Sequence, residues 1–314
     1  MTKIAFLFPG QGSQTVGMGA ELVQNSELNK SFYEKADEQL GFSLSTLMLE
    51  GPSEHLTYTY HAQPALLTTS TMISDLLQKN GVKPDFTIGH SLGEYSALVA
   101  SGVLTFEDGV QIVHERGLFM NEAVPAGEGA MAAILGMEES ALKTVTDTVT
   151  AEGNIVQLAN LNCPGQIVIS GTKLGVQQAC ERAKEAGAKR AIPLEVSGPF
   201  HSELMRPAAY KLQEALSKLN MRDTTIPVIS NVTANSVTKA EEMKDLLVNQ
   251  LYSPVRFEEC IHTLLSEGVT IFIECGPGKV LSGLVKKINR SATVYPAYDI
   301  ETINNVIEAS KEWS

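Results

Sequence analysis

The fold class that the sequence predicts is α/β: a large domain on a parallel sheet, carrying an inserted ferredoxin-like subdomain. Three observations predict it. Strand-like apolar runs alternate with helical periodicity along the chain. The segment Val124-Pro125-Ala126-Gly127-Glu128-Gly129 clusters Pro and Gly without periodicity, which marks a boundary, and a different rhythm follows it. The 314 residues, 43% of them hydrophobic, exceed the roughly 100–200 residues of one ordinary domain and can bury a full core without staples.

Ile4–Phe8 reads as a buried strand stopped by Pro9-Gly10, and amphipathic helices follow over Ser26–Gln39 and Gln63–Lys79. Asp85–Gly89 is a short strand and Glu94–Ser101 the helix after it, closed by Gly102; Thr105 can cap a further helix running to Glu122. Beyond the boundary, Ala130–Leu135 is a strand and Glu138–Thr150 a helix. Asn154–Asn160 and Gln166–Ser170 are strands joined around Pro164-Gly165; Leu174–Ala186 is a helix and Arg190–Leu194 a strand. That β-α-β-β-α-β order is the ferredoxin-like motif, in about 70 residues from Gly127 to Val196. The expected division is therefore 1–126 and 197–314 for the large domain and 127–196 for the insert. The larger pattern then resumes: helix Glu203–Leu219, strand Pro227–Ser230, helices Ala240–Asn249 and Phe257–Ser266, strand Thr270–Glu274, helix Lys279–Asn289 and a short terminal helix in Thr302–Ser314.

Composition narrows the classes of function. The net charge is −12, from 24 basic and 36 acidic residues, and an acidic body repels phosphate backbones, so nucleic acid is not an expected partner. No apolar run approaches the ~18–20 residues of a membrane span, and the apolar run after Lys3 is too short for a signal-peptide core. Four scattered cysteines with no C-x-x-C pair argue against a zinc ribbon or thioredoxin-like site and suit a reducing compartment. The expectation is a soluble, cytoplasmic globular protein.

Two glycine-rich turns carry the chemistry. Gly10-Gln11-Gly12-Ser13-Gln14-Thr15 follows a strand but fails the dinucleotide fingerprint at Thr15 and lacks the Gly-Lys-Ser/Thr of a P-loop. Its outward N–H groups could serve an oxyanion, or the segment could be a plain strand-ending turn. Gly89-His90-Ser91-Leu92-Gly93 is G-x-S-x-G between a strand and a helix, the setting of a nucleophile elbow. Ser91 would stand at a helix N-terminus, where the Leu92 N–H and the helix dipole favour a developing oxyanion. The large parallel-sheet domain is expected to be α/β-hydrolase-like. A standard esterase would show several strands before the elbow and a His-Gly-Gly segment; one clear strand precedes Ser91 and no His-Gly-Gly occurs.

A serine needs a base, and there are six histidines. His90 adjoins Ser91, but neighbouring side chains diverge at such a turn. His114 and His262 lie in helical patterns, and His55 and His61 in a Tyr-rich connection. His201 follows Ser197-Gly198-Pro199-Phe200, a stiff loop between strand and helix where catalytic groups are favoured. In the helix Thr105–Glu122, Ile112, Arg116 and Met120 are spaced by four, with Val113 flanking, so Arg116 projects toward the core. A buried guanidinium needs a partner: either an acidic residue of the chain or the carboxylate of a substrate.

Phe8-Pro9-Gly10-Gln11-Gly12-Ser13-Gln14, Gly89-His90-Ser91-Leu92-Gly93-Glu94, Arg116 and Glu274-Cys275-Gly276-Pro277-Gly278, in that order and spacing, closely resemble the malonyl-CoA:acyl carrier protein transacylases of bacterial type II fatty-acid synthesis. The resemblance covers nearly the whole chain. It implies ping-pong acyl transfer from malonyl-CoA to the phosphopantetheine thiol of acyl carrier protein, with Ser91 as nucleophile and His201 as base, and with no metal or redox cofactor. It implies that a backbone carbonyl near Gln250 orients His201 and that the Gln11 and Leu92 amides form the oxyanion hole. Arg116 would bind the malonyl carboxylate with the Gln250 side chain close by; Gln63, Asn160, Asn162 and Gln166 would contact the pocket or pantetheine. Phe200, before the base, accompanies malonyl in related domains and fills the space an α-methyl would need. Two other readings use the same residues: a serine thioesterase or hydrolase with water as acceptor, and a non-catalytic carrier-binding module in which Ser91 only starts a helix.

An acidic carrier protein needs a basic surface. Lys279, Lys286 and Arg290 fall near one face of the last long helix pattern, with Lys287 adjoining, and no acidic residue occurs from Cys275 to Tyr298. That face is either an ordinary solvated one or a docking site for the carrier.

Overall fold

The computed structural model describes residues 2–313. Ten strands occur in it: β1 Lys3–Phe8, β2 Phe86–Gly89, β3 Gly129–Leu135, β4 Val156–Cys163, β5 Gln166–Thr172, β6 Arg190–Pro193, β7 Val228–Ile229, β8 Ser236–Val237, β9 Val269–Cys275 and β10 Thr293–Ala297. They form two sheets.

The larger has the order β10-β9-β1-β2-β7-β8. Every neighbouring pair runs parallel except β7–β8, an antiparallel hairpin at one edge. The first strand lies inside this sheet, covered on both faces, which is why its sequence is continuously apolar. Its residues alternate between two cores: Phe6 and Phe8 join the cluster on one face, Ala5 and Leu7 the cluster on the other. Ligands of open parallel sheets bind beyond the carboxyl ends of the strands. The turn after β1 and the elbow after β2 both stand there.

The smaller sheet is antiparallel, with the order β4-β5-β3-β6. Counted within this unit the order is second, third, first, fourth, the ferredoxin-like arrangement. Helices Glu139–Ala151 and Lys173–Glu185 cover it around a third core that includes Ile134, Leu142 and Ile169. Its strand β4 also reaches the large domain, where the Leu161 and Val255 amides bond to Val255 and Ala159 carbonyls, each at 2.8 Å.

Helix boundaries follow their caps. Thr105 accepts from the Asp108 N–H at the start of Phe106–Glu122, and Thr172 from the Gly175 N–H at the start of Lys173–Glu185. One helix begins earlier than the sequence predicts, at Thr59 rather than Gln63, with Pro64 inside it. Proline cannot donate to the Tyr60 carbonyl one turn back. His114 Nδ1 supplies that bond at 2.7 Å, which gives this histidine a structural task. His55 and His61, expected in a connection, lie in helices Ser53–Leu56 and Thr59–Lys79.

Candidate active site

The elbow is built by steric demand. A Cβ on Gly89 would come within 1.8 Å of the Gly93 carbonyl carbon, and one on Gly93 within 2.0 Å of the Phe8 oxygen. Between them Ser91 takes a left-handed φ of 52°. Its N–H donates to Asn231 Oδ1 at 2.8 Å, and Asn231 Nδ2 donates to the Gly89 carbonyl at 2.7 Å. One buried side chain thus clamps both sides of the turn.

Ser91 Oγ lies 2.8 Å from His201 Nε2. His201 Nδ1 lies 2.8 Å from the Gln250 carbonyl oxygen. A carbonyl can only accept, so Nδ1 carries the proton and Nε2 presents its lone pair to the serine hydroxyl. His201 also holds a left-handed φ, 57°. Burial first, and the Arg116 charge second, push its pKa down to about 3, so the imidazole is the neutral base at neutral pH. Among the described residues no other histidine bonds Ser91; His90 Nε2 instead pairs with Asn162 Oδ1 at 2.8 Å.

Arg116 is completely buried. Among the described residues no carboxylate lies within ion-pair distance of it; it donates to amide oxygens, Gln63 Oε1 at 2.8 Å and Gln250 Oε1 at 2.9 Å, and to Ser91 Oγ at 3.2 Å. The Tyr95 ring lies 5.4 Å from its Cζ. Of the five N–H groups of a guanidinium, those bonds use three, and Nε is among the unpaired ones. A buried cation with only neutral partners retains most of its attraction for an incoming anion.

Around these groups is an open cavity of about 760 Å³, solvent at its mouth included. Ser91, His201, Arg116, Gln63, Phe200 and Asn160 line it, with Gln11 and Leu92. Among the described residues neither the Gln11 nor the Leu92 amide bonds to protein, and Leu92 caps helix Gly93–Ala100. Two free N–H groups beside a serine hydroxyl form a receptor for an oxyanion.

Asn162 and Gln166 stand outside this lining. Asn162 holds His90, and Gln166 Oε1 accepts from Lys287 Nζ at 3.0 Å. The basic residues flank helix Val280–Ile288: Lys279 is its N-cap, Arg290 lies beyond its end, and Lys286 Nζ donates to the Ala292 carbonyl at 2.6 Å. Glu274, in the last of the glycine-rich segments, also serves that helix, its carboxylate accepting from the Leu281 and Ser282 amides.

Two buried residues of the site escaped the sequence reading. Asn231 follows a two-residue strand and has no local signal. Glu94 was visible as the residue after the elbow, but its function depends on distant partners: Gln250 Nε2 donates to its Oε2 at 2.7 Å and the Asn231 N–H at 3.2 Å. Burial pushes the Glu94 carboxyl up to about 7 against those two bonds, which pull it down.

The family model described as "Acyl transferase domain" matches residues 5–308. The malonyl CoA-acyl carrier protein transacylase of Bacillus subtilis is 64% identical over 312 residues, covering 99% of this chain and 98% of the relative. Among solved structures, an acyl carrier protein S-malonyltransferase from Vibrio cholerae superposes with a TM-score of 0.95 at 45% identity, covering 97% of this chain and 100% of that one. A malonyl-transacylase in complex with its type II PKS acyl-carrier protein gives a TM-score of 0.95 at 41% identity, covering 98% and 100%.

Proposed function

The chain belongs to the acyl transferase family, among the malonyl CoA-acyl carrier protein transacylases, and from that premise we propose how its own residues move the acyl group. The protein transfers a malonyl group from malonyl-CoA to acyl carrier protein. The observation that carries the residue assignment is a shared atom: Ser91 Oγ meets the base His201 and the unneutralised cation Arg116 at once.

In the first half-reaction His201 Nε2 takes the hydroxyl proton as Ser91 Oγ attacks the thioester carbon. The oxyanion rests on the Gln11 and Leu92 amides, coenzyme A leaves as the thiol with the proton from His201, and a malonyl-serine ester remains. In the second, His201 takes the proton of the carrier's phosphopantetheine thiol, the sulfur attacks the ester, and Ser91 recovers its proton. The malonyl carboxylate takes the free donors of Arg116, a charge-assisted bond that an acetyl group cannot make. The acyl chain packs against Phe200, with Gln63 and Asn160 beside it; Asn162 supports the lining through His90. These steps need no metal or redox cofactor.

The division into 1–126 with 197–314 and 127–196 fits this reading, since Asn160 enters the cavity from the small sheet while the catalytic pair comes from the large one. The basic group Lys279, Lys286, Lys287 and Arg290, with Gln166 beside Lys287, is assigned to steering the acidic carrier. Four unpaired cysteines suit a cytoplasmic setting. Among the described residues no helix is long and apolar enough to cross a membrane.

Incubation with malonyl-CoA followed by intact-mass measurement tests the reading. One covalent malonyl group is expected, absent in Ser91→Ala. No adduct on the wild-type chain, or an adduct that survives in Ser91→Ala, contradicts it; an ester lost rapidly to water without carrier would make the protein a hydrolase.

A further inference from the structure

We infer that Glu94 is a positioning residue for acyl-group selection: its buried carboxylate fixes the orientation of the Gln250 amide, and that amide aims the Arg116 guanidinium. The inference rests on the malonyl-binding role given to Arg116.

The argument is one of donors and acceptors. The Gln250 side chain is fully buried, with three groups close against it and Asn231 Oδ1 farther off at 3.4 Å. Arg116 can only donate. The Ser91 carbonyl can only accept, and so can the Glu94 carboxylate where it is ionised, at pH above about 7. One amide orientation satisfies all three. Oε1 takes the Arg116 N–H at 2.9 Å, and Nε2 gives to Glu94 Oε2 at 2.7 Å and to the Ser91 carbonyl at 3.1 Å. The flipped amide would set its NH2 against the guanidinium and its oxygen against the carboxylate. Both contacts are repulsive, and both lie in a buried site where water does not screen them.

Without Glu94 the amide keeps Arg116, the Ser91 carbonyl and a long contact to Asn231 Oδ1 at 3.4 Å, but loses its shortest bond and its one contact to a carboxylate. One of the two amide anchors of Arg116 is then held less firmly, and the guanidinium is less sharply aimed at the acyl pocket. Glu94 is itself held: it sits in the first turn of the helix after the elbow, and the Asn231 N–H donates to the same Oε2. Glu94 is thus held one residue away from Arg116, on the far side of the Gln250 amide. Direct contact would have occupied the donors that the substrate carboxylate needs.

Gln250 gives this arrangement a second consequence. Its backbone carbonyl orients His201 while its side chain holds Arg116. Glu94 acts on the side chain alone, so its loss should disturb selection and leave the base in place.

The experiment is single-turnover acylation of the full-length protein with malonyl-CoA and with acetyl-CoA, for wild type, Glu94→Gln and Glu94→Ala, with thermal midpoints recorded beside the rates. Glu94→Gln keeps the size and one accepting oxygen but removes the charge. Losing a bond to a charged group is worth about 10- to 150-fold, and an indirect effect should fall near the lower end. The expected result is a malonyl rate about 10-fold lower in Glu94→Ala, an intermediate loss in Glu94→Gln, and acetyl rates within about threefold of wild type. The malonyl-to-acetyl ratio therefore falls. Equal losses for both acyl groups, or an unchanged ratio with a lowered midpoint, would show that Glu94 only supports the helix and would overturn the inference. If Glu94→Ala does not fold, Glu94→Gln decides by the same ratio. A wild-type chain with no preference for malonyl sinks the Arg116 reading itself; a selective wild type with an equally selective Glu94→Gln sinks this inference alone.

Discussion

Ser91 and His201 stand in left-handed backbone, φ 52° and 57°, and are pinned from both sides, whereas Arg116 rises from the middle of an ordinary helix and is held only at its tip. A non-glycine residue held in such a conformation costs about 1–3 kcal/mol, so it persists only where its surroundings over-determine it. Around Ser91 the Asn231 clamp does this; around His201 the Gln250 carbonyl does. Ser91 is fixed through the backbone of its turn and His201 through a carbonyl on its ring, and the cation through two neutral side-chain amides. One half of the site tolerates almost no variation. The other is adjustable, which is what a selector of acyl groups requires.

Changes in the reacting half should affect all acyl groups alike. The largest effect is expected from His201→Ala, a loss of roughly 10²–10⁴-fold in acylation by both malonyl-CoA and acetyl-CoA, measured by single-turnover adduct formation. A loss confined to one acyl group would break the contrast. Asn231→Ala comes next. It leaves a buried N–H and a buried carbonyl without their partner, at about 1–3 kcal/mol, so a reduction near 10-fold is expected for both thioesters, with a lowered thermal midpoint. A variant as fast and stable as wild type would show that the elbow holds itself.

The pH profile joins the two halves. The active form of His201 is the neutral one. Burial and the Arg116 charge hold its pKa below the ordinary 6.5, so acylation by acetyl-CoA, which does not draw on Arg116 or Glu94, should persist as pH falls through 6.5 and fail only further down. Arg116→Ala removes the second-largest of the causes that lower it and should move the acid limb upward. A limb already at or above 6.5 in wild type, or one that moves down in the variant, would contradict this electrostatic account. The smallest effect belongs to the surface. Reversing Lys286 and Lys287 to Glu should slow transfer to carrier protein a few-fold at low salt and spare transfer to free pantetheine, because exposed charges act mainly on encounter rates. An unchanged carrier rate would remove these residues from the docking surface.

What was legible in the sequence was what is encoded locally. The β1 run, the G-x-S-x-G elbow, the Thr105 cap and the β-α-β-β-α-β rhythm each lie within a few consecutive residues. Arg116 could be placed on a buried face by its spacing from Ile112 and Met120. Its partners could not be read from spacing, which left an acid or a substrate open; only the resemblance put Gln250 close by and Gln63 in the pocket, and these two glutamines from distant helices hold it. The strand β10 escaped notice because it is short and contains Pro296, which a sheet tolerates at its edge, where this strand lies. Strand β8 escaped as well, its two residues being too few for any period, whereas the equally short β7 lies inside the predicted strand Pro227–Ser230. Asn231 is out of reach for a different reason. Its meaning is a contact with Ser91, 140 positions away in the chain, and no local pattern carries that.

The central claim is that a buried, unneutralised arginine beside the nucleophile selects the charged acyl group. The direct measurement is acylation of Arg116→Ala and wild type by malonyl-CoA and acetyl-CoA under identical conditions. The account expects malonyl transfer to fall by about 10- to 150-fold while acetyl transfer changes by no more than a few-fold. Equal losses with both acyl groups would contradict it and return Arg116 to a purely structural role.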